Sequence, residues 1–442
     1  MFKNLFLLIK QGNLLAVLKN KIRPKRQERI IQNKIINAIS LNNKSALNNV
    51  ESILRNYYYS VVFKKKGLPR SYINRLARLI YSNSSNTGIP ISNYCDLLQL
   101  TENISEQVLP TDKWKGLSYI STCNGLFKLS LIFRNKAIDR AFANSTAKNN
   151  TVKGLLELLK AHLDQGEQLE AEEIMSRLYG KIKNKSYLDK LAAYISLMKG
   201  DKNNAWKIAK PYFSGKDLAF EEYVKGKKVA IVGPAPSGEE LGSEIDSYDI
   251  VIRTNFMGKE SMPLAKEFGT KTNISYYGGI IGKINEMPDH SFINEIDYAV
   301  YKRLRYQFQQ DYNKLTQSRA MFNQDDLLFI GTANMIPLIL YDIFHFMPSK
   351  VKVFKVNFHF TNKYYYDGYV LNKSKIFEPA EQWYSFANHD QITQLNFVRN
   401  LWDSMLIEVD KQCENVLLLS PEQYAADLER VYVQDASNSF EF

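Results

Sequence analysis

The chain has 442 residues, 45% hydrophobic and 12% aromatic, which is too long for one ordinary domain and too apolar for wholesale disorder. Its formal charge is +12, and residues 1–30 alone carry eight Lys or Arg against one Glu, a net of +7. Three cysteines, Cys95, Cys123 and Cys413, lie far apart without metal-ligand spacing, a pattern expected of reduced, buried thiols in a cytoplasmic protein.

The basic segment 1–30 interleaves its charges with Phe2, Leu5, Phe6, Leu8, Ile9, Leu14, Leu15, Val17 and Leu18. No apolar run approaches the ~20 residues that span a bilayer, and no small-residue cleavage site marks a signal peptide. Two readings stand: a basic amphipathic helix lying on an anionic membrane surface, or a solvated helix packed on its own domain. Nucleic acid is disfavoured as a partner, because no basic patch with interleaved aromatics recurs downstream.

Residues 31–150 are expected to be mostly helical, with polar breaks at 82–87 and 144–150. Residues 152–213 repeat with a period of 34: Leu159 matches Ala193, Leu163 matches Leu197, Gly166 matches Gly200, Ala171 matches Ala205 and Ile174 matches Ile208. Helix, turn glycine and helix with small packing residues is the tetratricopeptide-type unit. It would serve either as a partner-binding solenoid or as a spacer that positions the next domain. The all-α region is thus expected over 31–215, with a boundary stretch at 214–228.

From residue 226 to 442 the pattern changes to short β-type runs at 228–232, 249–253, 273–277, 297–301, 327–330, 351–356 and 415–419, with helical segments between several of them. That alternation predicts an α/β layered domain with a mainly parallel sheet. The first run ends at Gly233 in a small-residue loop containing Pro234, Ser237 and Gly238. The loop lacks both the Gly-Lys-Ser/Thr ending of a P-loop and the GxGxxG spacing of a dinucleotide fold. What remains is a set of backbone N–H groups suited to an anion. The next run ends in Arg253, Thr254 and Asn255; a strand-end Asn can donate to and accept from a nucleotide. Arg253 is expected either to touch the ligand or to pair with Asp246 or Asp249 and brace the loop.

Residues 228–255 resemble the large sialyl motif of the sialyltransferases, glycosyltransferase family 29. The match rests on Gly242, Ile245, Asp246, Asp249, Val251, Arg253 and Asn255. Further along, Thr332 before an apolar helix (Met335, Ile336, Leu338, Ile339, Leu340) and Asn357 after the run 351–356 resemble the small sialyl motif. Thr332 is expected to cap that helix, with or without facing an anion. The cluster Tyr364, Tyr365 and Tyr366 stands where the family has its third motif, and His389 stands where the very short motif begins. The family's usual Asn is Pro234 here, Gln394 replaces its acidic residue, and the position of its motif-linking cysteine is Val229.

The resemblance, over about residues 228–405, implies a Rossmann-like domain and transfer of an acidic keto sugar, sialic acid or Kdo, from a CMP donor. The acceptor would be a glycan or lipid-linked glycan in bacterial surface polysaccharide or lipooligosaccharide synthesis. It implies no metal and no other cofactor; Asp325 and Asp326 are expected to form a turn. His389, beside Asp390, would be the general base at the start of an amphipathic helix, with His359 as its substitute. Gly233, Ser237, Gly238, Arg253, Asn255, Thr332, Asn357, Tyr365 and Tyr366 would hold the nucleotide sugar. Two rivals remain: a retaining Kdo transferase using Asp246, Asp249 or Asp390 as nucleophile, and a nucleotide-binding adaptor without turnover.

Overall fold

A computed structural model describes residues 24–40, 45–59, 67–84, 91–146, 151–278, 291–302, 317–360, 365–366, 369 and 379–434. Most of the basic segment 1–30, the polar breaks around 85–90 and 147–150, and Tyr364 lie outside these residues. The chain divides between residues 140 and 141 into two compact units.

The first unit is helical: α1 (Pro24–Ser40), α2 (Ala46–Tyr59), α3 (Arg70–Ser84), α4 (Ile91–Glu102), α5 (Thr111–Thr122) and most of α6 (Phe127–Thr146). Pro24 occupies the first helical position, where its missing N–H costs nothing. Ile35, Leu54, Ile73, Trp114, Leu117 and Phe133 are buried in its core. Beside them, the Tyr57 hydroxyl donates to Glu28 Oε1 at 2.5 Å, and the Lys113 ammonium sits 3.8 Å above the Tyr57 ring. Cys95 on α4 is exposed, contrary to expectation, whereas Cys123 and Cys413 are buried and burial pushes both thiols up.

The second unit opens with the helices of the 34-residue period: α7 (Val152–Gln165), α8 (Gln168–Leu178), α9 (Lys185–Met198) and α10 (Lys202–Ala209). α7 packs on α8 and α9 on α10. The matched positions behave alike: Leu159 and Ala193, Leu163 and Leu197, Ala171 and Ala205 are all buried, and Gly166 and Gly200 both adopt left-handed conformations after their helices. The expected boundary stretch is itself a helix, α11 (Gly215–Val224). Ser214 and Asp217 close a reciprocal capping box at its start, and Phe220 is fully buried on it.

Seven parallel strands follow: β1 (Lys228–Val232), β2 (Ile250–Thr254), β3 (Ile274–Tyr277), β4 (Tyr298–Tyr301), β5 (Gln317–Ala320), β6 (Lys350–Phe354) and β7 (Glu408–Val409). Their order across the sheet is β5-β4-β3-β2-β1-β6-β7, and every pairing is parallel. The chain winds outward from β1 to β5, then returns to the other side of β1, so the order reverses between β1 and β6.

Parallel sheets need cover on both faces, which makes their central strands continuously apolar; β2, β3 and β4 are buried along their whole length. One face, carrying Ala230, Val232, Val251 and Phe354, packs against Ile245 of α12 (Gly242–Asp246) and Phe268 of α13 (Ala265–Phe268). The other carries Tyr276 and Arg319 toward Asp342 of α14 (Met335–Ile343) and Asp217 of α11. Among the described residues the remaining α-helices are α15 (Pro379–His389), α16 (Gln391–Asp403), α17 (Lys411–Leu417) and α18 (Pro421–Glu429).

Two expected strands are not strands. Residues 327–330 form a loop whose Leu327, Leu328 and Phe329 are buried, lining a small cavity with Leu163 of α7, Tyr194 of α9 and Phe397 of α16. Residues 415–419 belong mainly to α17, because Asp410 caps that helix by accepting from Cys413 N at 2.9 Å. β5 and β7, which carry little apolar signal, take their places in the sheet. Among the described residues no helix is long and apolar enough to cross a membrane.

Candidate functional site

In an open parallel sheet the crevice at the carboxyl ends of the strands, where strand order reverses, is the natural ligand site. Here that point lies between the ends of β1 and β6. Gly233 follows β1, and a Cβ added there would lie 2.5 Å from Lys355 O and 2.6 Å from Val356 Cγ2. Only glycine lets these two strand ends close together. Ala235 N then donates to Lys355 O at 3.0 Å, which draws the Pro234–Ser237 turn over the end of β6.

Backbone strain concentrates at this edge. Of the seven described non-glycine residues with positive φ, Asn255, Lys355, Phe358, His359 and Asp390 all lie in the segments that follow β2 and β6 or join α15 to α16. Such conformations cost of order 1–3 kcal/mol each and collect where a site is preorganised.

His389 is the last residue of α15 rather than the first of a helix; Asp390, at φ 27°, turns the chain into α16. Its Nδ1 lies 3.0 Å from Thr332 O. A carbonyl only accepts, so Nδ1 carries a hydrogen; in the neutral ring the lone pair is then on Nε2. Gln394 locks the arrangement: its Nε2 donates to His389 O at 2.7 Å and Thr332 O at 3.2 Å, while its Oε1 accepts from Asn334 N at 2.9 Å. Gly331 permits the contact, since a Cβ there would lie 2.9 Å from Asp390 N. Thr332 is not the helix cap; Asn334 stands at that position, and Thr332 Oγ1 lies 3.2 Å from Asn388 O and 3.4 Å from His389 Nδ1. Asp390 Oδ2 accepts from Thr393 Oγ1 at 2.8 Å.

Asn255 follows β2 with its side chain tied on both sides: Nδ2 donates to the Tyr369 hydroxyl at 3.1 Å, and Oδ1 accepts from Gly278 N at 3.4 Å. The rings of Tyr365 and Tyr366 stand 4.7 and 5.3 Å from Tyr369, and Tyr366 N donates to Pro234 O at 2.9 Å. Thus the tyrosine segment, Asn255 and the β1 loop meet. Tyr365 is the exposed ring of the group. Asn357 accepts from His359 N at 3.0 Å, an Asx turn that sets the left-handed Phe358 and His359. His359 lies against Phe386 and Tyr365; apolar burial, and secondarily the nearby His389, push its pKa down to about 4, so it is neutral at pH 7.

The 242–255 motif is mainly scaffold. A Cβ on Gly242 would strike Ala265 O, so this glycine lets α12 pack on α13. Asp246 accepts from Thr270 N, Thr270 Oγ1 and Lys271 N, and Asp249 accepts from Lys228 N at 2.8 Å. Both aspartates precede β2 and stand at the opposite edge of the sheet from His389. An open cleft of about 590 Å³, lined by both and by Glu222, Tyr223 and Lys271, belongs to that opposite edge. Arg253 pairs with neither aspartate: its guanidinium donates to Phe268 O at 2.6 Å, Thr272 Oγ1 at 3.0 Å and Lys271 O at 3.2 Å, and burial pushes it down to about 10. It braces the 268–272 loop. Of the motif's matched residues Asn255 reaches the site edge, beside Thr254, whose Oγ1 lies 2.7 Å from the Tyr369 hydroxyl.

Gln394, Lys355 and Tyr369 are members that the sequence did not assign to this edge. Gln394 had a signal, its place five residues after His389; Lys355 had none beyond its position at a strand end. Asp325 and Asp326 form the expected turn, where Asp325 accepts from Ala333 N at 2.9 Å and pairs with Lys302. Among the described residues no group of three or more His, Cys, Asp and Glu side chains converges as metal ligands would. Compared with protein families, with curated proteins and with solved structures, the chain matches none.

Proposed function

We propose that the chain is a glycosyltransferase that moves an acidic keto sugar, sialic acid or Kdo, from its CMP conjugate to a glycan acceptor, with His389 as general base. One observation carries the reading. Nδ1 of His389 is held by the Thr332 carbonyl, at the strand-end edge where a nucleotide would sit, so Nε2 is the basic nitrogen. The acceptor hydroxyl gives its proton to Nε2 as its oxygen forms a bond to the anomeric carbon. The bond from that carbon to the phosphate oxygen breaks, and CMP leaves with the electron pair. Charge grows on the departing phosphate, so donors preorganised around the Ser237 loop lower the barrier.

The carboxylate-nucleophile alternative keeps Asp390 alone, because Asp246 and Asp249 are engaged at the far edge of the sheet. Anomeric configuration of the product, read by NMR, separates inversion from retention. The paired helices α7–α8 and α9–α10 are read as tetratricopeptide-type units, supported by their matched buried positions and turn glycines. The basic segment 1–30 is proposed to rest on an anionic membrane surface.

His389→Ala tests the assignment. Transfer from CMP-sugars should fall by roughly 10²–10⁴-fold, the usual worth of a general base, while CMP still raises the melting temperature. Near-normal transfer by a folded variant overturns it.

A further inference from the structure

Lys355 is the last place in the fold where an isolated cation is expected. Its side chain is fully buried at the end of β6, yet it makes no ion pair with a described carboxylate. Among the described residues the ammonium has only neutral partners within reach: Ser237 Oγ at 2.5 Å, Glu239 O at 2.7 Å and the Phe268 ring at 5.2 Å. Glu267, Asp410 and Glu239 act on it only from beyond pairing distance, and burial pushes its pKa down. Buried charges are as a rule paired, because desolvation is expensive otherwise.

Its backbone conformation carries a cost of its own. Lys355 has φ 57°, held by Asp410 Oδ2, which accepts from its N–H at 2.6 Å, and by Ala235 N, which donates to its carbonyl. The backbone is therefore fixed so that the side chain runs under the loop that follows β1. The chemistry of Ser237 completes the argument. Its Oγ accepts from the Lys355 ammonium and from Glu239 N at 3.3 Å. With both lone pairs engaged, the hydroxyl hydrogen is directed elsewhere, and Ser237, unlike Lys355, is partly exposed. A hydroxyl polarised by a buried ammonium is a strong donor toward an anion.

We propose that Lys355 supplies the positive charge for a nucleotide phosphate bound at the β1–β6 switch point, acting through the Ser237 hydroxyl as a positioning residue. The inference rests on the nucleotide reading of this edge, but on neither the base nor the sugar. Phosphate negative charge replaces the carboxylate that Lys355 lacks, and the neutral nucleoside gains nothing from it.

Calorimetric titration of the full chain with CMP, UMP, AMP and GMP, each beside its nucleoside, tests this. At least one monophosphate should bind roughly 10–100-fold more tightly than its nucleoside, as a hydrogen bond to a charged group is worth. In Lys355→Met that ratio should collapse toward one while nucleoside affinity stays within about twofold, and Lys355→Arg should restore part of it. Ser237→Ala, at a half-exposed position, should reduce the ratio likewise if Lys355→Met fails to fold. A ratio that persists in a folded Lys355→Met protein overturns the proposal, as does a wild type that prefers no monophosphate over its nucleoside. A ratio dependent on Lys355 but seen with AMP or UMP instead of CMP sustains the inference and removes the CMP-sugar reading.

Discussion

His345 shows what burial does to a titratable side chain in this fold. Its ring is stacked 4.8 Å from Phe322 and edge-on to Tyr341, and its Nδ1 donates to Tyr341 O at 2.6 Å. Burial pushes its pKa from an ordinary 6.5 to about 4. Above pH 6.5 the ring is neutral both folded and unfolded, and stability is whole. As the pH falls from there toward 4, the unfolded chain takes up a proton that the folded one refuses, so stability declines. The decline approaches about 1.4 kcal/mol per pH unit and totals about 3 kcal/mol. His345→Phe keeps the ring contacts and removes the titration. Urea unfolding at several pH values between 7 and 4 should therefore show a shallower fall for the variant; an unchanged slope shows that His345 is not held neutral. His389 contrasts with it: the ring is partly exposed, and its Nδ1 is held by the Thr332 carbonyl.

At the scale of elements, the contact between the ends of β1 and β6 builds the site, and Gly233 makes it possible. Gly233→Ala drives a methyl into Lys355 O and Val356 Cγ2, and the struck carbonyl belongs to the residue just after β6, whose N–H Asp410 holds. Overpacking of this kind costs about 3 kcal/mol, the upper part of its range. Gly238→Ala meets no atom within 4 Å and strains only a left-handed backbone, costing about 1 kcal/mol. Unfolding free energies measured side by side should rank the variants in that order, and equal losses would dismiss the close approach as unimportant. The same elements show what was legible in the sequence. β1, β2, β3, β4 and β6 announce themselves because both faces are covered. β5 (Gln-Ser-Arg-Ala) and the two-residue β7 do not, since edge strands bury little. Residues 327–330 imitate a strand because their apolar side chains pack toward α7, α9 and α16 from a loop. α11 reads as a charged boundary, for only Asp217, Phe220, Glu221 and Val224 of it are buried. At the site, His389 and Asn255 stand out by residue type and order. The left-handed turn at Lys355 has no such mark, because it arises from Gly233 and Asp410, far away in the chain.

In the whole second unit, the helices before residue 226 and the sheet after it share one interior. α16, which begins two residues after His389, is gripped from the helical side: Thr393 Oγ1 lies 2.8 Å from Asp164 Oδ1, Gln168 Nε2 donates to Asn400 Oδ1 at 2.7 Å, and Tyr194 stacks 5.7 Å from Phe397. The two period-matched glycines face the same helix, Gly166 near Asn400 and Gly200 against Ser404. α11 adds Asp217, which pairs with buried Arg319 at 2.9 Å, and Phe220, edge-on to Tyr298 and Phe346. Exposing Phe220's surroundings forfeits about 2 kcal/mol, and stripping one partner from a buried ion network costs about 3 kcal/mol more. Together with the lost grip on α16, this rivals the roughly 5–15 kcal/mol that holds an entire domain. A fragment of residues 226–442 is therefore expected to lack a cooperative transition, whereas residues 141–442 should unfold in one step. Urea titrations followed by circular dichroism and by tryptophan fluorescence provide the check. If the shorter fragment unfolds cooperatively at the same midpoint as the longer, the helical layer is a detachable spacer and does not hold α16, with His389 beside it, in place.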